Sequence, residues 1–206
     1  MPDTALHSKS TAALDAAIVA ALGSRSLVLV GMMGAGKSSV GRKLGQRLDL
    51  PFVDADTQIE AAAGMSIPDI FETRGEAEFR AGEAKVIARL LEGGPQVLAT
   101  GGGAYMNAHT RALIARKGVS IWLKADFDVL MRRIRRRSDR PLLRTADPGA
   151  TLQHLIDLRY PVYAEADLTI ESRDVLHEII VDEIVAGLAP ILGLAETCEA
   201  SRGNVT

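Results

Sequence analysis

Residues 26–41 read SLVLVGMMGAGKSSVG, and the rest of the chain is interpreted outward from them. The run from Ser26 to Val30 lacks the polar alternation of a half-exposed strand, so it predicts a strand buried on both faces, as in a parallel sheet. Gly31 to Ser38 fits G-x-x-x-x-G-K-[ST] between that strand and a helix over about 37–48, the context such a loop requires. Gly34, Ala35 and Gly36 let successive backbone N–H groups point inward at phosphate oxygens, and the helix N-terminus through Lys37, Ser38 and Ser39 adds a favourable dipole. Lys37 has the reach for β- and γ-phosphates, and the Ser38 hydroxyl suits a Mg²⁺ ligand. The pattern specifies a nucleoside triphosphate and says little about the acceptor.

Outward from this loop, strand and helix alternate. Strands are expected at 51–54 (PFVD), 96–100 (QVLAT), 119–123 (VSIWL) and 167–170 (DLTI). Helices are expected at 56–63, over IPDIFETRG, at 76–91, from Asn107 to Gly118, after Asp126, at 151–160 with a stop at Pro161, and at 175–188 behind a Ser172 cap. Five short strands separated by helices predict an α/β fold with a five-stranded parallel sheet flanked by helices. Residues 26–193 are expected to form the domain, with a flexible lid at about 135–149. Residues 1–25 read as an arm or extra helix, and 194–206 as a disordered tail.

The 206 residues carry a net charge of -2 and one cysteine, Cys198. That balance disfavours a polyanion-binding protein, and a single cysteine forms neither a disulfide framework nor a thiolate metal site. LDAAIVAAL near the start is too short for a membrane span, and Asp3 and Asp15 stand where a secretory signal would be basic. A cytoplasmic protein with no membrane and no nucleic-acid partner is expected. The four histidines show no metal-ligand spacing, and Trp122, inside VSIWL, reads as core.

Acceptor candidates lie elsewhere. Asp54 and Asp56 stand two apart at the carboxyl end of a strand, where ligands bind in open α/β sheets. Asp56 can take a substrate hydroxyl or simply cap the following helix. Arg80 has Glu76 four residues earlier, so a surface ion pair competes with a ligand role. Gly101-Gly102-Gly103 serves either a tight turn or a close approach of ligand to backbone. Arginines 132, 133, 135, 136, 137, 140 and 144 concentrate positive charge before a Pro/Gly/Asp-rich stretch. No aromatic interleaves for base stacking, so a basic flap over phosphates fits better than a nucleic-acid patch.

Taken in order, GMMGAGKSSVGRKLGQRL, FVDAD, GEAEFR, ATGGGAY, RPLL and LRYPVYAEAD resemble the motifs of the shikimate kinase family, over Leu27 to Leu188. The resemblance implies a P-loop NTPase fold of the nucleoside monophosphate kinase kind with a mobile lid. It also implies ATP and Mg²⁺, and transfer of the γ-phosphoryl to the 3-hydroxyl of shikimate in aromatic amino-acid biosynthesis. By the same resemblance Asp56 binds the shikimate hydroxyls and Asp54 supports Mg²⁺. Arg80 and Arg159 grip the carboxylate, and Gly102, between Gly101 and Gly103, offers backbone to the substrate. Arg140 reaches the phosphates from the lid, and Arg133 and Arg173 flank adenine. A monomer acting on two small molecules is expected. Gluconate kinase shares the cradle without the second clamp at Arg159, a nucleoside monophosphate kinase needs a second base site, and a GTPase needs an Asn-Lys-x-Asp string that is missing here.

Overall fold

The five strands are β1 (Ser26–Val30), β2 (Phe52–Asp54), β3 (Val97–Ala99), β4 (Gly118–Lys124) and β5 (Leu168–Glu171). In the computed structural model, which describes residues 3–136 and 147–194, they form one parallel sheet of order β2-β3-β1-β4-β5. The central strand β1 is buried along its whole length, which is why its sequence carries no polar alternation. This is the five-stranded parallel sheet flanked by helices that the sequence predicts.

The helices are α1 (Asp3–Leu22), α2 (Lys37–Leu48), α3 (Ala55–Ala63), α4 (Ile67–Glu92), α5 (Ala108–Lys117), α6 (Phe127–Arg135), α7 (Pro148–Tyr163) and α8 (His177–Ile191). Right-handed crossovers dictate their sides. The chain leaves β1 in one direction through α2 and returns in the other through α4, α5 and α7. Accordingly α2 packs with α8 and α1, while α4 packs with α5. The amino-terminal segment is therefore a docked helix: Ile18 and Leu22 are buried in the main core, and Asp15 pairs with Arg47 on α2 at 3.1 Å.

Several local expectations are corrected. The cap of α3 is Asp54, whose carboxylate accepts the Asp56 N–H at 3.1 Å. Asp56 thus sits inside the first turn, with no capping duty. Helix α7 runs through Pro161 to Tyr163. The proline removes one backbone bond, but the last turn is held from outside, because Trp122 packs against the rings of Tyr160 and Tyr163 at 5.0 and 5.9 Å. Ser172 does not cap α8, which begins five residues later without a side-chain cap; its hydroxyl turns inward. Asp126 precedes α6 without a capping hydrogen bond, whereas Asn107 caps α5 through the Thr110 N–H at 3.1 Å. The two helices expected on either side of Gly75 are joined end to end as α4, with Gly75 (φ 80°, ψ 170°) as the break. The expected lid centre at 137–146, with Arg137, Arg140 and Arg144, and the tail beyond Leu194 lie outside the described residues.

Helix α2 lies so close to the sheet that two of its positions admit no side chain. A Cβ on Gly41 would stand 2.6 Å from the Phe52 ring and 2.9 Å from Leu29, and one on Gly45 would stand 2.8 Å from the Leu50 carbonyl oxygen. Gly82 on α4 has no atom within 4 Å of such a position. Gly41→Ala is expected to destabilise by about 1–3 kcal/mol through overpacking, lowering the melting temperature by roughly 2–12 °C for a chain of this size. Gly82→Ala is expected to gain up to about 1 kcal/mol of helix propensity. Thermal melting of both variants by circular dichroism checks the pair; a Gly41→Ala protein as stable as wild type would refute the tight contact.

Candidate active site

The strands β1, β2 and β3 end level. Leu29 pairs with Ala99 and Asp54 with Ala99, so the segments after all three meet above one end of the sheet. That meeting place is where an open α/β sheet binds ligands.

The loop after β1 has the backbone geometry of a phosphate cradle. Gly34 (φ 84°) and Gly36 (φ 93°) lie in the left-handed region, flanking Ala35 in the alternation that turns N–H groups to one side. Gly36 leads directly into α2. The Lys37 ammonium donates to the Gly31 and Met32 carbonyls, at 2.9 Å each, and so arches back over the loop. Gly34, Gly36, Lys37, Ser38 and Ser39 line a cleft of about 330 Å³ together with Arg133, Ile134, Arg136 and His177. Ser38 Oγ donates to Asp54 Oδ2 at 2.6 Å. A hydroxyl and a carboxylate thus stand together beside the cradle, while Oδ1 of the same Asp54 caps α3. No cluster of three or more acidic, His or Cys side chains suited to a metal occurs among the described residues. The donor set fits Mg²⁺, which keeps several waters and takes one or two protein oxygens plus phosphate oxygens.

Beside this cleft the triple glycine after β3 gathers the acceptor candidates. A methyl on Gly101 would stand 2.8 Å from Glu83 Oε1 and 2.9 Å from Asp56 Oδ1. One on Gly103 would collide with the Arg80 guanidinium, and one on Gly102 would stand 3.3 Å from Arg159 Nη1 and 3.4 Å from the Met33 nitrogen of the cradle loop. The turn is bare because four polar side chains and the cradle loop crowd its Cβ positions. Its orientation is held through one acceptor: the Gly102 carbonyl receives Arg159 Nη1 at 3.2 Å and the Tyr163 hydroxyl. Arg159 and Tyr163 are four apart on α7, so both reach the same spot. Burial pushes the Tyr163 hydroxyl up to about 12, so it remains a donor at neutral pH.

Arg80 does pair with Glu76 Oε1 at 3.3 Å, but its shorter bond, 2.7 Å, goes to Glu83 Oε2. Its guanidinium also lies 5.0 Å from the Phe79 ring centroid. Glu83 is 3% exposed, its Oε1 has no hydrogen-bond partner among the described residues, and burial raises its carboxyl above the usual range against the opposing Arg80 hydrogen bond. Nothing local in the sequence marks Glu83, because an acidic residue on a helix reads as solvated. Tyr163 lies in the LRYPVYAEAD stretch with no role of its own, Ser172 reads from sequence as a helix cap, and His177, which lines the cleft, shows no metal-ligand spacing.

Two nucleotide candidates behave differently. Arg133 lines the cleft and bonds Gly34 O at 3.3 Å, Ser172 Oγ at 2.8 Å and Asp174 Oδ1 at 3.1 Å. The Arg173 side chain is occupied by Glu183 and the Glu171 carbonyl, and it is not among the residues lining the cleft. Arg140 lies outside the described residues.

Comparison with known proteins bears on the whole site. A family model described as shikimate kinase matches residues 33–189. The chain is 65% identical over 188 residues to a shikimate kinase of Bradyrhizobium diazoefficiens, covering 91% of this chain and 90% of that one. It is 64% identical over 174 residues to one of Rhodopseudomonas palustris, covering 84% and 86%. Among solved structures, a shikimate kinase from Acinetobacter baumannii in complex with shikimate superposes with a TM-score of 0.76 at 38% identity, over 82% of this chain and 93% of that one.

The raised Glu83 carboxyl has a signed consequence. Its proton binds more tightly in the folded than in the unfolded chain, so the fold loses stability as pH rises from the ordinary carboxylate range through the folded value. Glu83→Gln lacks that loss. Its melting temperature is therefore expected to gain on wild type between pH 4 and pH 7.5, as read by paired thermal melts. A difference that does not change with pH would show that Glu83 titrates as an ordinary surface acid.

Proposed function

The chain belongs to the shikimate kinase family and phosphorylates shikimate with ATP; from that premise we propose which of its residues carry the reaction. The cradle from Gly34 to Ser39 holds the triphosphate, with Lys37 at the β- and γ-phosphates and Arg133 at the rim toward the base. Arg80 and Arg159 clamp the substrate carboxylate, and the Gly101–Gly103 turn supplies backbone beside it. The observation that carries this reading is the convergence of Asp56, Arg80 and Arg159 on a glycine turn that itself touches the cradle loop. A small hydroxylated anion bound there has its hydroxyls next to the phosphate site.

The chemistry follows from charge. Planar guanidinium forks suit a carboxylate, and an ionised aspartate suits hydroxyl donors. Asp56 orients the 3-hydroxyl and accepts its proton as the oxygen bonds to the γ-phosphorus; the bond to the β–γ bridging oxygen breaks and ADP leaves. Positioning and neutralisation supply most of the acceleration in such transfers. Ser38 and Asp54 would hold Mg²⁺, which when bound offsets phosphate charge. Arg140 is assigned to the phosphates from its RPLL context alone, and Arg173 to the adenine side, where its present pairing with Glu183 would have to open. Glu83, salt-bridged to Arg80 at 2.7 Å, keeps the clamp from folding away. Among the described residues no helix is long and apolar enough to cross a membrane. The reading takes the enzyme as a cytoplasmic monomer acting on two small molecules.

Asp56→Asn separates the reacting role from a structural one. The α3 cap belongs to Asp54, so the substitution leaves that cap in place, and the helix-dipole contribution it gives up is about 0.3–1 kcal/mol. Turnover with shikimate is expected to fall by roughly 10²–10⁴-fold, the range for lost general-base help, while ADP affinity and melting temperature stay near wild type. Steady-state kinetics by coupled ADP release, with melting of the same protein, checks this. A stable, fully active variant would refute the role of Asp56.

A further inference from the structure

We propose that Ser172 is a positioning residue for the nucleotide: its one hydroxyl holds the Ala35 carbonyl turned out of the phosphate cradle and seats the Arg133 guanidinium at the cleft rim. This rests on the reading that the cradle binds ATP. Ser172 follows β5, is 6% exposed, and has its backbone N–H fixed on the Lys124 carbonyl at the end of β4. Its Oγ donates to Ala35 O at 2.7 Å and accepts from Arg133 Nη1 at 2.8 Å. A hydroxyl has one proton and spare lone pairs, so both bonds form at once without competition.

The cradle needs this support for a specific reason. Turning N–H groups inward at phosphate turns the intervening carbonyls outward, and Ala35 is fully buried, so no bulk water is available to its carbonyl. A buried carbonyl without a donor costs about 1–3 kcal/mol. Ser172 supplies the donor at Ala35, while Arg133 Nη1 lies 3.3 Å from the preceding carbonyl of Gly34. Two consecutive loop carbonyls are thus held by one hydroxyl–guanidinium pair. Arg133 is fixed in turn at its other edge by Asp174 Oδ1 and the Arg173 carbonyl. A residue at the end of β5 therefore couples the cradle at the end of β1 to a cleft arginine on α6, and it does so without touching the acceptor half of the site.

The test is a split between the two substrates. Ser172→Ala is expected to raise the KM for ATP and the Kd for ADP about tenfold, the worth of one to two hydrogen bonds, with the shikimate KM within twofold of wild type. Ser172→Thr, which keeps the Oγ, is expected to restore ATP affinity. Should the alanine variant fail to fold, Ser172→Cys with its weak thiol donor is expected to give an intermediate ATP KM. Unchanged ATP and ADP constants beside a lowered melting temperature would overturn the proposal, and so would equal rises in the KM of both substrates. Wild-type protein that neither bound ADP in calorimetry nor used ATP would instead overturn the reading of the cradle itself.

Discussion

The level ending of three parallel strands is the constraint from which the site follows. Leu29, Ala99 and Asp54 lie in one register line across β1, β3 and β2, so the cradle loop, the triple glycine and the Asp54–Asp56 segment leave the sheet side by side. Neighbouring strands are only about 4.8 Å apart, and segments leaving adjacent strands at the same height must touch. A one-residue slip in either pairing would flip the side chains of that strand to the other face. The Asp54 carboxylate would then no longer meet Ser38 at 2.6 Å.

Above that floor, the acceptor half is built from charge that the fold stabilises poorly by itself. Glu83 is an almost fully buried carboxyl with one oxygen that finds no hydrogen-bond partner among the described residues, and burial outweighs the help it receives from Arg80. Buried polar groups left half-satisfied are costly, and such costs concentrate at functional sites. The arrangement keeps Arg80 beside the glycine turn although Glu76 offers an alternative partner in solvent. At the other wall, Arg159 and Tyr163 meet on a single carbonyl, and the aromatic cluster of Trp122, Tyr160 and Tyr163 makes that wall rigid.

Helix α1 stands outside the stretch that the family model matches, which begins at residue 33. It is nonetheless part of the core. Ile18 and Leu22 are buried, and Arg47 joins Asp15 on α1 to Asp182 on α8. The helix following the cradle is thereby held from behind by two others, so the direction of the N–H groups in its first turn is fixed by packing.

The cradle, the five strands and the general run of helices were legible in the sequence, because each rests on local chemistry. Glycine at positive φ, apolar runs in buried strands and Asn107 at a helix start are properties of a few adjacent residues. What only the tertiary structure decided depends on partners far along the chain. Asp54, and not Asp56, caps α3 because the β2 backbone delivers its carboxylate between the Asp56 N–H and the Ser38 hydroxyl in the first turn of α2. Helix α7 passes Pro161 because the Trp122 indole on β4 packs against its last turn, and Ser172 faces inward because a carbonyl 137 residues away needs its proton. Glu83 and Tyr163 carry no local mark at all; their meaning comes from burial beside Gly101 and Gly102, and burial is a property of the whole fold.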